Sequence, residues 1–213
     1  TSYMRENLAF DFLREAGVPA CDTFHLHVRR NSAFYGLFSF VEQVDERYLE
    51  RHRFDPDGAM YKSINCCAGT LQPLSVAAYP SYYRKVTQKS ESWDDLDRLV
   101  RGIHVSDPDR FAFLFDWIDL PQVINYMAAQ AVMTNHDRLT KNYYVYREPD
   151  TRLWHIFPWD LDQSYTVGNY LLEENWSSPF YGNEEHTQEL AGGRPNPAWQ
   201  NHLYSLMFEN PVT

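Results

Sequence analysis

Thr134 to Asp162 reads TNHDRLTKNYYVYREPDTRLWHIFPWDLD, and the rest of the chain can be worked outward from it. It opens with Asn135-His136-Asp137 and places Asn142 five residues after that Asp. Asn142 to Arg147 is rich in tyrosine and valine and reads as a strand. A turn follows, and Leu153 to Phe157 reads as a second strand. That strand runs out into Pro158-Trp159-Asp160-Leu161-Asp162. A hairpin brings its two ends together, so Asn142 and Asp160 are predicted to meet despite their separation in sequence.

An Asp, an Asn five later, a hairpin and another Asp at its end is the spacing of a protein-kinase-type phosphoryl-transfer site. In such a site Asp137 orients the attacking hydroxyl, while Asn142 and Asp160 hold Mg²⁺ on the phosphates. Mg²⁺ is a hard cation that takes oxygen ligands and keeps several waters, so one carboxylate and one amide carbonyl suit it. The same residues admit a plainer reading. Asn-His-Asp also serves as a helix exit and turn, Asp160 and Asp162 as strand-end carboxylates, and Asp-x4-Asn alone is common.

The chain has 213 residues, enough for one domain with a sizeable core. It is 44% hydrophobic and 16% aromatic, the composition of a globular protein. Its formal charge of -10 and lack of Lys/Arg runs argue against nucleic acid as a partner. Apolar runs such as Phe111 to Phe115 are too short to span a bilayer. The start at Thr1 without Met reads as a piece of a longer protein, whose signal peptide would not be visible. Cys21 stands alone, adjacent Cys66-Cys67 would close only a strained ring, and no Cys-x-x-Cys suggests zinc.

In chain order, Ser2 to Ala16 reads as an amphipathic helix with Met4, Leu8, Phe12 and Ala16 on its apolar stripe, ended by Gly17 and Pro19. Phe24, Leu26 and Val28 alternate with His25, His27 and Arg29, a strand with one wet face; Phe34 to Val41 returns from a turn at Asn31-Ser32. With no third ligand nearby, His25 and His27 read as exposed strand positions rather than a metal site. Val44 to Arg53 reads as a helix capped by Asp45, and Asp55-Pro56-Asp57-Gly58 as a turn before a short strand from Ala59. Cys66 to Lys89 is loop-like. Helices are predicted for Ser92 to His104, from Asp107-Pro108 to Trp117, and from Asp119 onward. In the last, Val123, Ile124, Met127, Ala128, Ala131 and Val132 form the expected buried stripe. Gly168 to Gly193 reads as an aromatic and acidic loop, and Pro197 to Phe208 as a final helix. The class is α+β: a strand-rich first part and a helix-rich second part carrying an inserted hairpin.

Across most of its length the chain resembles the CotH kinase family, bacterial spore-coat and secreted proteins with an atypical protein-kinase fold. Met4 to Phe10 with Glu15-Ala16-Gly17-Val18-Pro19-Ala20 is similar to that family's first helix and its Gly-Val-Pro-Ala end. Tyr35-Gly36-Leu37 with Glu42-Gln43-Val44-Asp45, Tyr61-Lys62, Asn142-Tyr143-Tyr144-Val145-Tyr146 and Phe157-Pro158-Trp159-Asp160-Leu161-Asp162 match four further motifs in order. The resemblance implies a single CotH-like kinase domain over residues 1–213, with a partial strand-rich N-lobe and a helical C-lobe. It implies more of the domain upstream and downstream of this sequence.

It also implies ATP- and Mg²⁺-dependent phosphorylation of Ser or Thr on coat-type proteins, at the spore coat, the cell surface or outside the cell. Asp137 becomes the catalytic Asp, Asp160 the Mg²⁺-binding Asp, Asn142 the second metal ligand and Asp162 an auxiliary carboxylate. Trp159 is a candidate wall for adenine. A kinase also needs a Lys on the phosphates, held by a Glu. Lys62 and Glu42 are candidates for that pair, and the family's further upstream strands are the other place to seek the Lys. The chain lacks a Gly-x-Gly-x-x-Gly loop, so it is not an ordinary protein kinase. Two rivals use the same residues. One is a non-catalytic kinase-fold binding module, suited by exposed-looking tyrosines and the acidic loop. The other is a metal-dependent hydrolase built on Asp137, Asp160, Asp162 and His136.

Overall fold

A computed structural model describes residues 3–65, 69–105, 109–135, 137–138, 141–165 and 201–209. His136, Cys66-Cys67, Asp107-Pro108, the stretch 168–193 and residues 197–200 lie outside the described residues. The chain is α+β, as its sequence pattern predicts, with two antiparallel sheets.

The first helix, α1 (Arg5–Glu15), leads to a two-stranded ribbon of β1 (Thr23–Arg30) and β2 (Ala33–Val41). Then come α2 (Glu46–Arg51), β3 (Ala59–Ser63), a 3-10 turn (Val76–Ser81) and β4 (Tyr83–Lys85). Helices α3 (Asp94–Gly102), α4 (Asp109–Trp117) and α5 (Leu120–Val132) follow. The hairpin β5 (Tyr143–Arg147) and β6 (Trp154–Pro158) precedes α6 (His202–Glu209). Local chemistry sets several boundaries. The Asp45 carboxylate accepts from the amides of Arg47 and Tyr48 to start α2, and Asp119 accepts from Gln122 N to start α5. The turn before β3 closes as Gly58 N donates to Asp55 O at 3.1 Å.

The hairpin is not an insertion among helices. It joins the second sheet, ordered β4-β3-β5-β6, through antiparallel pairing of Met60 with Tyr146 and Lys62 with Tyr144. β4 lies where the sequence reads as loop, because three residues are too few to show alternation. Tyrosine builds much of the core: Tyr48, Tyr61, Tyr79, Tyr83, Tyr126, Tyr143, Tyr144, Tyr146 and Tyr204 are buried. This corrects the view of the tyrosines as a binding surface. Several buried hydroxyls are satisfied internally, as by Tyr146 donating to Asp55 O and Tyr143 to Gly69 O.

The helix phases also shift. In α1 the buried residues are Asn7, Ala9, Phe10 and Leu13, while Met4 and Leu8 are exposed. In α5, Gln122, Tyr126 and Gln130 are buried, and Ile124, Ala128 and Val132 face out. Polar groups with internal partners displaced apolar ones from these faces. The Gln122 amide donates to Ile156 O at 2.6 Å and accepts from Ile156 N at 3.0 Å, acting as an extra strand along the edge of β6. The ribbon departs most from its expected single wet face. Phe24, Leu26, Phe34, Tyr35, Leu37, Phe38 and Phe40 are all exposed, so its apolar side chains are uncovered among the described residues.

Candidate active site

The site gathers at the open end of the β5–β6 hairpin and the exit of α5. Tyr143 pairs with Pro158, and Trp159 N donates to Asn142 O at 3.0 Å, extending the ladder one step. Asn142 and Asp160 then both turn to positive φ, 66° and 54°, a conformation that Asn and Asp tolerate better than most residues. The two residues that end the ladder therefore flank its mouth.

Helix α5 supplies the other side, and Gln122 fastens its start to β6. At its exit Gln130 anchors the turn, for its Oε1 accepts from Asn135 Nδ2 at 2.9 Å. Asn135 Oδ1 in turn accepts from Asp137 N at 3.1 Å. Below it, buried Arg138 donates to Asn135 O at 3.0 Å. Asp137 is thus held by its backbone, and its side chain is held too. Asn142 Nδ2 donates to Asp137 Oδ2 at 2.7 Å, an orientation that leaves the Asn142 carbonyl oxygen for another partner.

The electrostatics are those of crowded carboxylates. Burial pushes Asp137 above its ordinary range; Lys141, 3.8 Å from Oδ2, pulls it back, and Asp160 and Asp162 add to the rise. Burial likewise raises Asp160, with repulsion from exposed Asp162 added and Lys141 and Lys62 opposing. A cation would relieve both acids. Every donor is a hard oxygen, so the set suits Mg²⁺. Among the described residues no three His, Cys, Asp or Glu side chains are grouped to hold a metal unaided. Phosphate and water oxygens would complete the shell, which is usual for this ion.

Lys62 and Glu42 are not brought together. Glu42 accepts from Arg51 Nε at 2.9 Å, pairs with the same guanidinium through its other oxygen, and accepts from Asp22 N at 3.0 Å. Burial pushes Glu42 up, but Arg51 and the Asp22 amide outweigh it and leave the carboxylate below its ordinary range. Arg51, the last residue of α2, is the cation that meets Glu42 just past the end of β2. Lys62 instead lies 4.0 Å from the Trp159 ring centroid and 5.3 Å from that of Tyr144. Burial and the Arg84 charge push Lys62 down to about 8, with Asp160 pulling the other way. One face of Trp159 is therefore covered by an ammonium.

The family model described as CotH kinase protein matches residues 1–212. This chain belongs to the CotH family. The CotH-family chain is also similar to the inner spore coat protein H of Bacillus subtilis (strain 168), 25% identical over 170 residues. The match covers 77% of this chain and 47% of that protein, so the CotH-family chain spans about half of its relative's length.

Two charged groups of the CotH-family site escape sequence reasoning. Glu6 on α1 is raised by burial and by Asp160 and Asp162, while the Leu161 backbone offers it a hydrogen bond. No local pattern could have found it, because it approaches from the far end of the chain. Lys141 could have been found, since it directly precedes Asn142 and stands four residues after Asp137.

Proposed function

We propose that this CotH-family chain carries the phosphoryl-transfer site of an atypical, kinase-like fold that moves a phosphoryl group from ATP to Ser or Thr hydroxyls of a protein. The observation that carries this reading is the Asp137–Asn142 hydrogen bond at the hairpin mouth that ends in Asp160. Asp137 would orient the acceptor hydroxyl and take its proton as the new O–P bond forms and the bond to the leaving ADP oxygen breaks. Its raised proton affinity suits a base. Asn142 and Asp160 would hold Mg²⁺, with Asp162 as an auxiliary carboxylate; the ion, when bound, supplies charge neutralisation at the phosphate oxygens. Lys141 offsets the negative charge of the incoming phosphates. The relative's name, inner spore coat protein H, supports the spore coat as location, where coat-type proteins would be the substrates at hand.

A binding module is the second reading, favoured by the uncovered aromatics of the ribbon. A thermal melt separates the two, since a ligand of the folded state raises its stability. Mg²⁺-ATP is expected to raise the melting temperature of the wild type and to have no effect on Asp160→Ala. Asp137→Asn should keep the shift while phosphoryl transfer falls by roughly 10²–10⁴-fold. A shift undiminished in Asp160→Ala, or transfer surviving in Asp137→Asn, would reject the assignment.

A further inference from the structure

The opposite end of the same hairpin has the reverse charge. A cavity of about 430 Å³ is lined there by Ala59, Gln88, Arg98, Arg147, Pro149 and Arg152. Its three guanidiniums come from separate elements: Arg98 from α3, Arg147 from the end of β5 and Arg152 from the turn before β6. Arg98 and Arg147 both lie within cation–π range of the same ring, their guanidinium carbons 5.8 and 5.9 Å from the Trp117 centroid. A guanidinium drawn to an aromatic face keeps N–H groups that can donate to a ligand.

Among the described residues none of the three pairs with a carboxylate. Three acids on or next to the same elements have other partners. Asp97 takes Arg101 and the Tyr79 hydroxyl, Asp94 accepts from Ser92, and Glu148 accepts from Tyr146. Three like charges around one cavity, unneutralised in a chain of net charge -10, form an arrangement that an anion would stabilise. Attraction to the Trp117 ring accounts for two of them and leaves Arg152 without a structural reason to be there. Guanidinium forks match phosphoryl oxygens, and the exposure of Arg98, Arg152, Gln88 and Pro149 leaves the entrance open to a group carried on a chain.

We propose that this cavity binds a phosphoryl-type dianion, supplied by a phosphorylated side chain or by free phosphate. It is separate from the carboxylate cluster at Asn142, five residues or about 16 Å from Arg147 along the strand at ~3.3 Å per residue. The inference does not rest on the proposed reaction. Titration calorimetry of the whole chain with a phosphoserine peptide, its serine counterpart and inorganic phosphate tests it. The phosphopeptide and phosphate should bind and the serine peptide should not. A phosphopeptide that binds more tightly than phosphate identifies a side-chain source, and equal affinities identify the free anion. Arg98→Gln and Arg152→Gln, both at exposed positions, should each weaken binding roughly tenfold or more, Arg152→Gln without lowering the melting temperature. Asp160→Ala should leave the affinity unchanged. Wild-type affinity in both arginine variants, equal binding of the two peptides, no binding at millimolar phosphate, or loss in Asp160→Ala would each overturn the proposal.

Discussion

His202 shows how a single side chain sets a pH limit. It opens α6 with its ring centroid 4.4 Å from that of His104, whose Nδ1 is bonded to Val100 O. Burial, with the His104 ring adding to it, takes His202 from 6.5 down to about 4. The folded state therefore prefers the neutral ring, and unfolded chains bind the extra proton between those values. Stability is complete above about 6.5 and declines as pH falls toward 4. The unfolding free energy from urea titrations should fall between pH 7 and pH 5 in the wild type by an amount of order 1 kcal/mol. His202→Gln should reduce that difference, the buried rings of His52 and His155 supplying the rest; an equal drop in both proteins would remove His202 as a cause. Residues of this kind are poorly legible in sequence, since nothing local to His202 announces His104. The Asp137–Asn142 contact is legible because its two residues stand only five positions apart. Glu6 and the Glu42–Arg51 pair are not, because tertiary packing, rather than local spacing, decides which charges meet.

Among the elements, the β5–β6 hairpin and the Asp45 and Asp119 caps can be read directly, since alternation and capping are local. The burial phase of α1 and α5 cannot. Ile124 and Val132 are apolar yet exposed, whereas Gln122 is buried because an edge strand offers its amide two partners. Gln122→Leu keeps the volume but strands the Ile156 N–H and C=O. Denaturant unfolding should show a loss of about 2–4 kcal/mol, the cost of two unsatisfied buried groups. An unchanged midpoint would mean that water replaces the clasp. The same variant frees the start of α5, so any Asp160-dependent Mg²⁺-ATP shift should shrink with it.

For the whole molecule, the charge is distributed more unevenly than the net value of -10 suggests: carboxylates crowd one end of a hairpin and guanidiniums the other. The sequence shows the sum but not this polarity, because Arg98, Arg147 and Arg152 converge only once β3 has paired with β5. The exposed ribbon adds a second asymmetry. Its ties to the rest include Ser39 donating to Asn7 at 3.3 Å and His25 meeting Tyr3 O at 2.8 Å, and a lone pair of strands is marginal in water. All six tryptophans lie beyond it, at positions 93, 117, 154, 159, 176 and 198. The four described ones, Trp93, Trp117, Trp154 and Trp159, sit in or against the core, so their emission reports on it, while amide deuterium uptake reads residues 23–41 directly. At urea concentrations where emission is still native, the ribbon amides should already exchange and those of β3 and β5 stay protected. Superimposable curves from the two probes would instead mean that ribbon and sheet melt as one unit.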